Sequence, residues 1–322
     1  MSIANNSTRW IHFLIIPFLL YCSTAILSAQ QGEILTETDL PELPATALEV
    51  IDGTVYCGTP NGGFYTIESS ADFQSHNTPV SGVLGYIVDF SPYKDQIAIC
   101  FHSGAQLKVY LYNPSNEMYT EIINKDSIIP NMEGIDYNHA KPYAIDASDS
   151  SNLIGTSAGL ITYKNDKVLQ YTCLAHMPEL PNCWDTIYDV TIGKKAWLAQ
   201  RGQITSFRPD TSFSIPRFFP IPLPSNSISN KVRVNTLAPA TEEVVYLTTS
   251  DNLLMKYDHG DFDTLDEGTA NIAYNRVRES MWFDGTLWMV SKNGLFTFDG
   301  NSTTKITSLD NGSALDVTDC IK

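Results

Sequence analysis

Residues 285–300, GTLWMVSKNGLFTFDG, place an apolar strand before a polar turn at Lys292-Asn293-Gly294 and a strand of alternating apolar residues after it. The β-prone side chains Trp288, Val290, Leu295, Phe296 and Phe298, set around a turn that supplies positive-φ chemistry, specify a β-hairpin. The same pattern recurs in five other places: 55–67, 97–112, 152–164, 196–207 and 245–258. Aligned on their turn anchors Gly62, Gly104, Gly159, Gly202, Asn252 and Gly294, the copies are separated by 42, 55, 43, 50 and 42 residues.

One further strand precedes each hairpin, beginning near residues 45, 84, 143, 186, 233 and 277, and a polar-aromatic stretch such as 168–172 follows it. Four short strands in each repeat of roughly 40 to 50 residues is the period of a propeller blade. A blade cannot bury both of its faces alone, so neighbours stack around an axis. The expectation is an all-β fold, a β-propeller of six to seven four-stranded blades occupying 30–322. Residues 313–322, SALDVTDCIK, begin a seventh copy, which leaves three closures open. These are a six-bladed ring with a trailing strand, a seventh blade shared with residues 32–43, or a piece of a longer chain.

The copies at 151–172, 284–307 and 52–67 resemble the two-component regulator propeller repeat, and Leu180-Pro181-Asn182 and Leu223-Pro224-Ser225-Asn226 are similar to that family's lead-in to an innermost strand. Copies two, four and five depart from the pattern. The resemblance implies a periplasmic or surface-exposed sensing or binding propeller like the sensor part of bacterial hybrid two-component systems. Similar propellers also occur among surface components of type IX secretion.

Composition narrows the setting. Arg9, the apolar run Trp10–Tyr21 and the small residues ending at Ala29 form a secretory signal over 1–29. The alternative is a retained N-terminal membrane anchor, disfavoured because Pro17 interrupts the run and Ser23-Thr24 ends it early. Without that segment the chain carries 19 bases against 36 acids, which makes nucleic acid and anionic membrane surfaces poor partners. Cys173 and Cys183 flank a short loop that a disulfide could close, whereas Cys57 and Cys100 lie in apolar strands and read as buried thiols.

Catalytic signatures are missing: the nucleophile elbow, the HExxH zinc motif, the phosphate loop and the dinucleotide fingerprint do not occur. The six histidines show no ligand spacing, and no cofactor is expected. Asp258, Asp261, Asp263, Asp266 and Glu267 read as a solvated loop, since Leu265 stands where a calcium loop needs an oxygen ligand. Recognition is expected where loops vary on a rigid scaffold. The candidates are the turn residues Asn61, His102, Arg201, Asp251 and Lys292, with Trp184 and Asp185 beside them. The expected function is a non-catalytic extracytoplasmic module that binds a glycan or protein partner on its loop face. A surface assembly component and a glycan-cleaving propeller enzyme are the alternatives.

Overall fold

A computed structural model describes the strands and most of their connections between residues 46 and 306, together with two short strands, Ile26–Ser28 and Glu33–Leu35. Residues 1–25, 29–32, 36–45, 124–140, 172–185, 210–217, 225–231 and 307–322, and some shorter loop positions, lie outside the described part. The continuation of the seventh copy, the Cys173–Cys183 pair and the expected cleavage point after Ala29 therefore fall outside it.

Six four-stranded antiparallel sheets form along the chain, each a meander of strands taken in sequence order. They span 47–76, 86–123, 142–171, 189–222, 234–267 and 277–306, and are called blades 1 to 6. The hairpin of 285–300 adopts the pairing its alternation dictates, with Leu287 opposite Phe298, Met289 opposite Phe296 and Ser291 opposite Gly294. Leu287, Met289, Phe296 and Phe298 share one face of the sheet and pack on Tyr246, Leu254 and Tyr274. The turn anchors Gly62, Gly159, Gly202 and Asn252 all have positive φ, at 76°, 107°, 75° and 73°. A single aligned backbone requirement thus unites the glycines with the asparagine that replaces one of them.

The core lies between blades. One buried cluster joins blades 1 and 2 around Phe64, Phe90 and Phe101. Others join blades 2 and 3 around Ile123, Ile154 and Ile161, blades 3 and 4 around Leu153 and Phe207, blades 4 and 5 around Trp197 and Leu247, and blades 5 and 6 around Met289 and Phe296. Among the described residues no such cluster joins blade 6 to blade 1. Close approach is built into the second strands: a Cβ on Gly155 would lie 2.9 Å from the Ile187 side chain of the next blade, and one on Gly58 would lie 2.8 Å from Ile87.

Cys57 and Cys100 are buried free thiols, as expected. Burial pushes the Cys57 thiol up to about 12. The acidic stretch is not a loop. Asp261–Glu267 is the outermost strand of blade 5, turned back on Leu253–Asp258 through His259 and Gly260, both at positive φ. Its acids are tolerated because an outer strand leaves one side to water. Asp266 is the exception that is put to use, since its carboxylate accepts the Tyr274 hydroxyl at 2.5 Å and the Thr303 hydroxyl at 3.3 Å.

Candidate ligand-binding rim

The innermost strands of blades 2 to 6 are Tyr86–Tyr93, Pro142–Ser148, Asp189–Ile192, Val234–Pro239 and Val277–Phe283. Their first residues share an end of the ring with the turns between second and third strands. Four of these strands open with a bulge, at Ile87/Asp89, Pro142/Ala144, Val234/Thr236 and Val277/Glu279. The residues left unpaired there are Val88, Tyr143, Asn235 and Arg278. A bulge re-aims the side chains beside it, and the effect here is to hold Tyr143 and Arg278 in solvent at the rim while the following residues enter the channel.

At the rim, rings and cations of blades 2 to 5 lie at one end of the strands. The Tyr86 and His102 rings meet edge to face at 5.5 Å. Lys141 lies 5.4 Å from the centre of the Tyr143 ring. Tyr143 contacts Tyr188 at 5.5 Å, and the Arg233 guanidinium lies 5.1 Å from the Tyr188 ring centre. Arg201 directs a guanidinium N–H toward the Tyr188 hydroxyl at 3.5 Å, and Arg233 donates from Nε to the Asn235 side-chain oxygen at 2.8 Å. The main chains of Arg201 and Arg233 are themselves joined by an antiparallel bridge. Tyr143 is one of only three large hydrophobic side chains exposed among the described residues, at 36%.

The electrostatics follow from this crowding. Burial, then the Lys141 ammonium, holds the His102 imidazole below its ordinary value, so it is neutral at pH 7 and able to accept or donate. Burial, then the neighbouring phenols, raises Tyr86 and Tyr143, although the Arg233 charge pulls Tyr143 back. Phenolic hydroxyls therefore remain intact donors beside fixed cations, on a chain whose overall charge is −16.

Beneath the rim, three carboxylates key successive blades together. Asp89 accepts the Phe90 amide at 2.8 Å and the Ile145 amide of blade 3 at 3.1 Å. Asp146 accepts the Ala147 amide at 2.7 Å and the Ile192 amide of blade 4 at 2.7 Å, with the Ser91 hydroxyl of blade 2 at 3.3 Å. Asp189 accepts the Val190 amide at 2.8 Å and the Leu237 amide of blade 5 at 2.8 Å. Between blades 5 and 6 hydroxyls take over, Ser280 donating to Thr236 at 2.8 Å. Burial raises Asp89 to about 8, Asp146 to about 6 and Asp189 to about 7, against the opposing effect of the amides.

Of the residues selected from sequence, His102 of blade 2 and Arg201 of blade 4 each lie on this rim, against Tyr86 and Tyr188 respectively. Asn61 is exposed in the blade 1 turn. Asp251 is exposed in the blade 5 turn, where its carboxylate accepts the Thr249 hydroxyl and helps to hold the turn. Trp184, Asp185 and Lys292 lie outside the described residues. Sequence reasoning missed Tyr86, Tyr143, Tyr188 and Arg233, and it missed the aspartates. The signal was present as Tyr-x-x-Asp at 86–89 and 143–146 and Tyr-Asp at 188–189. Among the described residues no group of three His, Cys, Asp or Glu side chains could hold a metal ion, and no helix is long and apolar enough to cross a membrane.

No family model matches the chain, and no curated protein matches it in sequence. Solved structures do match its fold. The extracellular domain of BT4673 from B. thetaiotaomicron, described as part of a hybrid two component system, aligns over 87% of this chain with a TM-score of 0.62 at 17% identity. This chain spans only 35% of that one. PorZ, a surface component of the type-IX secretion system of Porphyromonas gingivalis, aligns over 83% of this chain and 38% of its own length, with a TM-score of 0.51 at 12% identity. The WD40 β-propeller domain of Doa1 aligns over 83% of this chain and 84% of its own length, with a TM-score of 0.54 at 11% identity. The fold is a β-propeller of the kind found in extracellular two-component sensor domains.

Proposed function

We propose that this chain is an extracytoplasmic recognition propeller that seats a glycan or protein ligand on the rim formed by Tyr86, His102, Lys141, Tyr143, Tyr188, Arg201 and Arg233, and that it has no chemistry of its own. The observation that carries this reading is the rim itself, where blades 2 to 5 each contribute to one surface of rings and cations. Aromatic and arginine side chains dominate recognition surfaces because they offer large contact area at low entropic cost. The channel aspartates support the absence of catalysis, since each spends both carboxylate oxygens on main-chain amides. Sensing for a longer polypeptide is the role that the shared fold favours.

Arg233 is exposed and packs on Tyr188 without entering the core. Arg233→Ala is therefore expected to change stability by no more than about 0.5 kcal/mol, while weakening the best ligand from a glycan and peptide array at least tenfold, about 1.4 kcal/mol. Titration calorimetry beside a melting curve checks both. Unchanged affinity in Arg233→Ala and Tyr188→Ala would place the ligand elsewhere, and release of product from a bound glycan would refute the non-catalytic part.

A further inference from the structure

Arg201 and Arg233 stand directly opposite each other where blades 4 and 5 meet. Their main chains form an antiparallel bridge, in which the Gly202 amide donates to the Val232 carbonyl at 2.7 Å and the Val234 amide to the Gln200 carbonyl at 3.0 Å. Bonds that flank a pair in this way leave it non-hydrogen-bonded, the closer of the two antiparallel arrangements, with α-carbons about 4.5 Å apart and both side chains on one face. Both side chains reach the same residue. The Arg233 guanidinium lies 5.1 Å from the centre of the Tyr188 ring, and an Arg201 guanidinium N–H points at the Tyr188 hydroxyl at 3.5 Å. Like charges set directly opposite repel, and this chain has 36 acids with which to pair its 20 bases.

Two acids of the adjoining segments are committed elsewhere. Asp251, in the turn whose Ser250 is bonded to Arg233, accepts the Thr249 hydroxyl, and Asp189, next to Tyr188 in the chain, accepts the Val190 and Leu237 amides. Among the described residues the Arg233 side chain has one polar partner, the neutral Asn235 oxygen at 2.8 Å, and no ion pair. The Tyr188 hydroxyl accepts from Arg201 and donates to none of the described residues, so its hydrogen is unspent.

We propose that the Arg201–Arg233 pair is a carboxylate clamp and that the ligand of the rim is an acidic saccharide whose carboxylate it grips, an inference that rests on the reading of the rim as a recognition surface. A guanidinium presents its N–H groups in a planar fork that matches a carboxylate bidentately. Two forks held side by side repel each other until an anion is seated between them, and the Tyr188 hydroxyl adds a neutral donor. Tyr143, exposed and 5.5 Å from Tyr188, offers a ring beside the clamp on which the apolar face of a sugar can lie. Lys141, over that ring, carries the positive charge toward a neighbouring acidic sugar.

A saccharide fits this place better than an extended peptide. Peptides commonly bind by adding a strand to an open edge. Here the main chain is already spent: besides the bridge, the Arg233 carbonyl accepts the Ser250 amide at 2.8 Å and the Arg233 amide donates to the Ser250 hydroxyl at 2.8 Å. Recognition must therefore go through rings and guanidiniums. The attraction is local on a chain of net charge −16, so it is expected to weaken as salt is raised.

The test is an array of uronic-acid oligosaccharides, each beside its carboxyl-reduced form, together with glutamate-rich peptides, probed with the full chain and followed by calorimetric titration of the best binder. The acid form is expected to bind at least tenfold more tightly than its reduced partner, and to weaken at least tenfold in Arg233→Gln and in Arg201→Gln. Arg233→Lys, which keeps the charge without the fork, is expected to recover only part of that loss. Without ligand, Arg233→Gln is expected to melt no lower than wild type, because it removes one of two opposed like charges; being exposed, it carries the test even if Arg201→Gln folds poorly. Equal binding of acid and reduced forms, with loss in Tyr143→Ala, would overturn the clamp and leave the rim as a recognition surface. Binding indifferent to Tyr143→Ala, Tyr188→Ala and Arg233→Gln alike would overturn the rim reading as well. Preference for the glutamate-rich peptides, absence of binding to every uronic-acid oligosaccharide, or full affinity in Arg233→Lys would each overturn the proposal.

Discussion

Trp197→Ala is expected to lower the unfolding free energy by about 3–5 kcal/mol, the usual cost of deleting a large aromatic side chain from a packed interior. Trp197 is fully buried in the second strand of blade 4 and belongs to the cluster that joins blades 4 and 5. Its ring meets Tyr257 of blade 5 edge to face at 5.6 Å, and the Lys195 ammonium lies 5.0 Å from its centre. Lys195 in turn pairs with Glu243 of blade 5 at 2.8 Å. Removing the indole empties the seam between two blades and strips the packing from an interblade ion pair. Urea unfolding at one pH, followed by tryptophan fluorescence and by far-ultraviolet dichroism, measures the effect; a loss below about 1 kcal/mol would show that the blades are held by something other than their seams.

Asp189→Ala is the second large effect, and it works through hydrogen bonds instead of packing. The carboxylate serves the Val190 amide within its own blade and the Leu237 amide across the junction, both at 2.8 Å. Leaving each amide unpaired costs about 1–3 kcal/mol, and the missing side chain cannot be replaced by its neighbours. Asp189→Asn keeps one acceptor oxygen and is expected to fall between wild type and Asp189→Ala. Equal stability of all three proteins at pH 7 would mean that channel water already satisfies these amides and that the aspartates do not key the blades together.

Much of the scaffold could be read in the chain. The hairpin of 285–300 disclosed its own register, because alternating Leu287, Met289, Phe296 and Phe298 can bury only one face. The turn anchors disclosed the repeat, because a tight reversal demands positive φ from whichever residue occupies it, as Asn252 does in blade 5. The inner strands near 84, 143, 186 and 233 were placed by the same repetition. What could not be read depended on where a strand's second face looks. In most strands that face meets another blade or water. At the channel it meets other copies of itself, so Asp89, Asp146 and Asp189 sit in strands whose hydropathy is unremarkable, and their partners are amides 46 to 56 residues away.

The acidic outer strand of blade 5 was misread for a related reason. Asp261, Asp263 and Glu267 look like a loop when charge is taken as the signal for coil, but an outermost strand needs only its ladder to Leu253–Asp258. The rim was half legible. His102 and Arg201 were selected as turn residues, yet Tyr143 and Arg233 come from strand entries, and Tyr143 reaches the surface through a bulge that no apolar pattern announces.

Amide hydrogen exchange of the full chain, with and without the tightest ligand from a glycan and peptide array, tests most directly the proposal that the rim binds a ligand. Protection is expected at the strand entries and turns of blades 2 to 5, around residues 86–88, 102–103, 141–145, 187–190, 201–202 and 233–235, and it is expected to disappear with Arg233→Ala. Protection confined to the outer strands, or to the opposite end of the channel, would contradict the account.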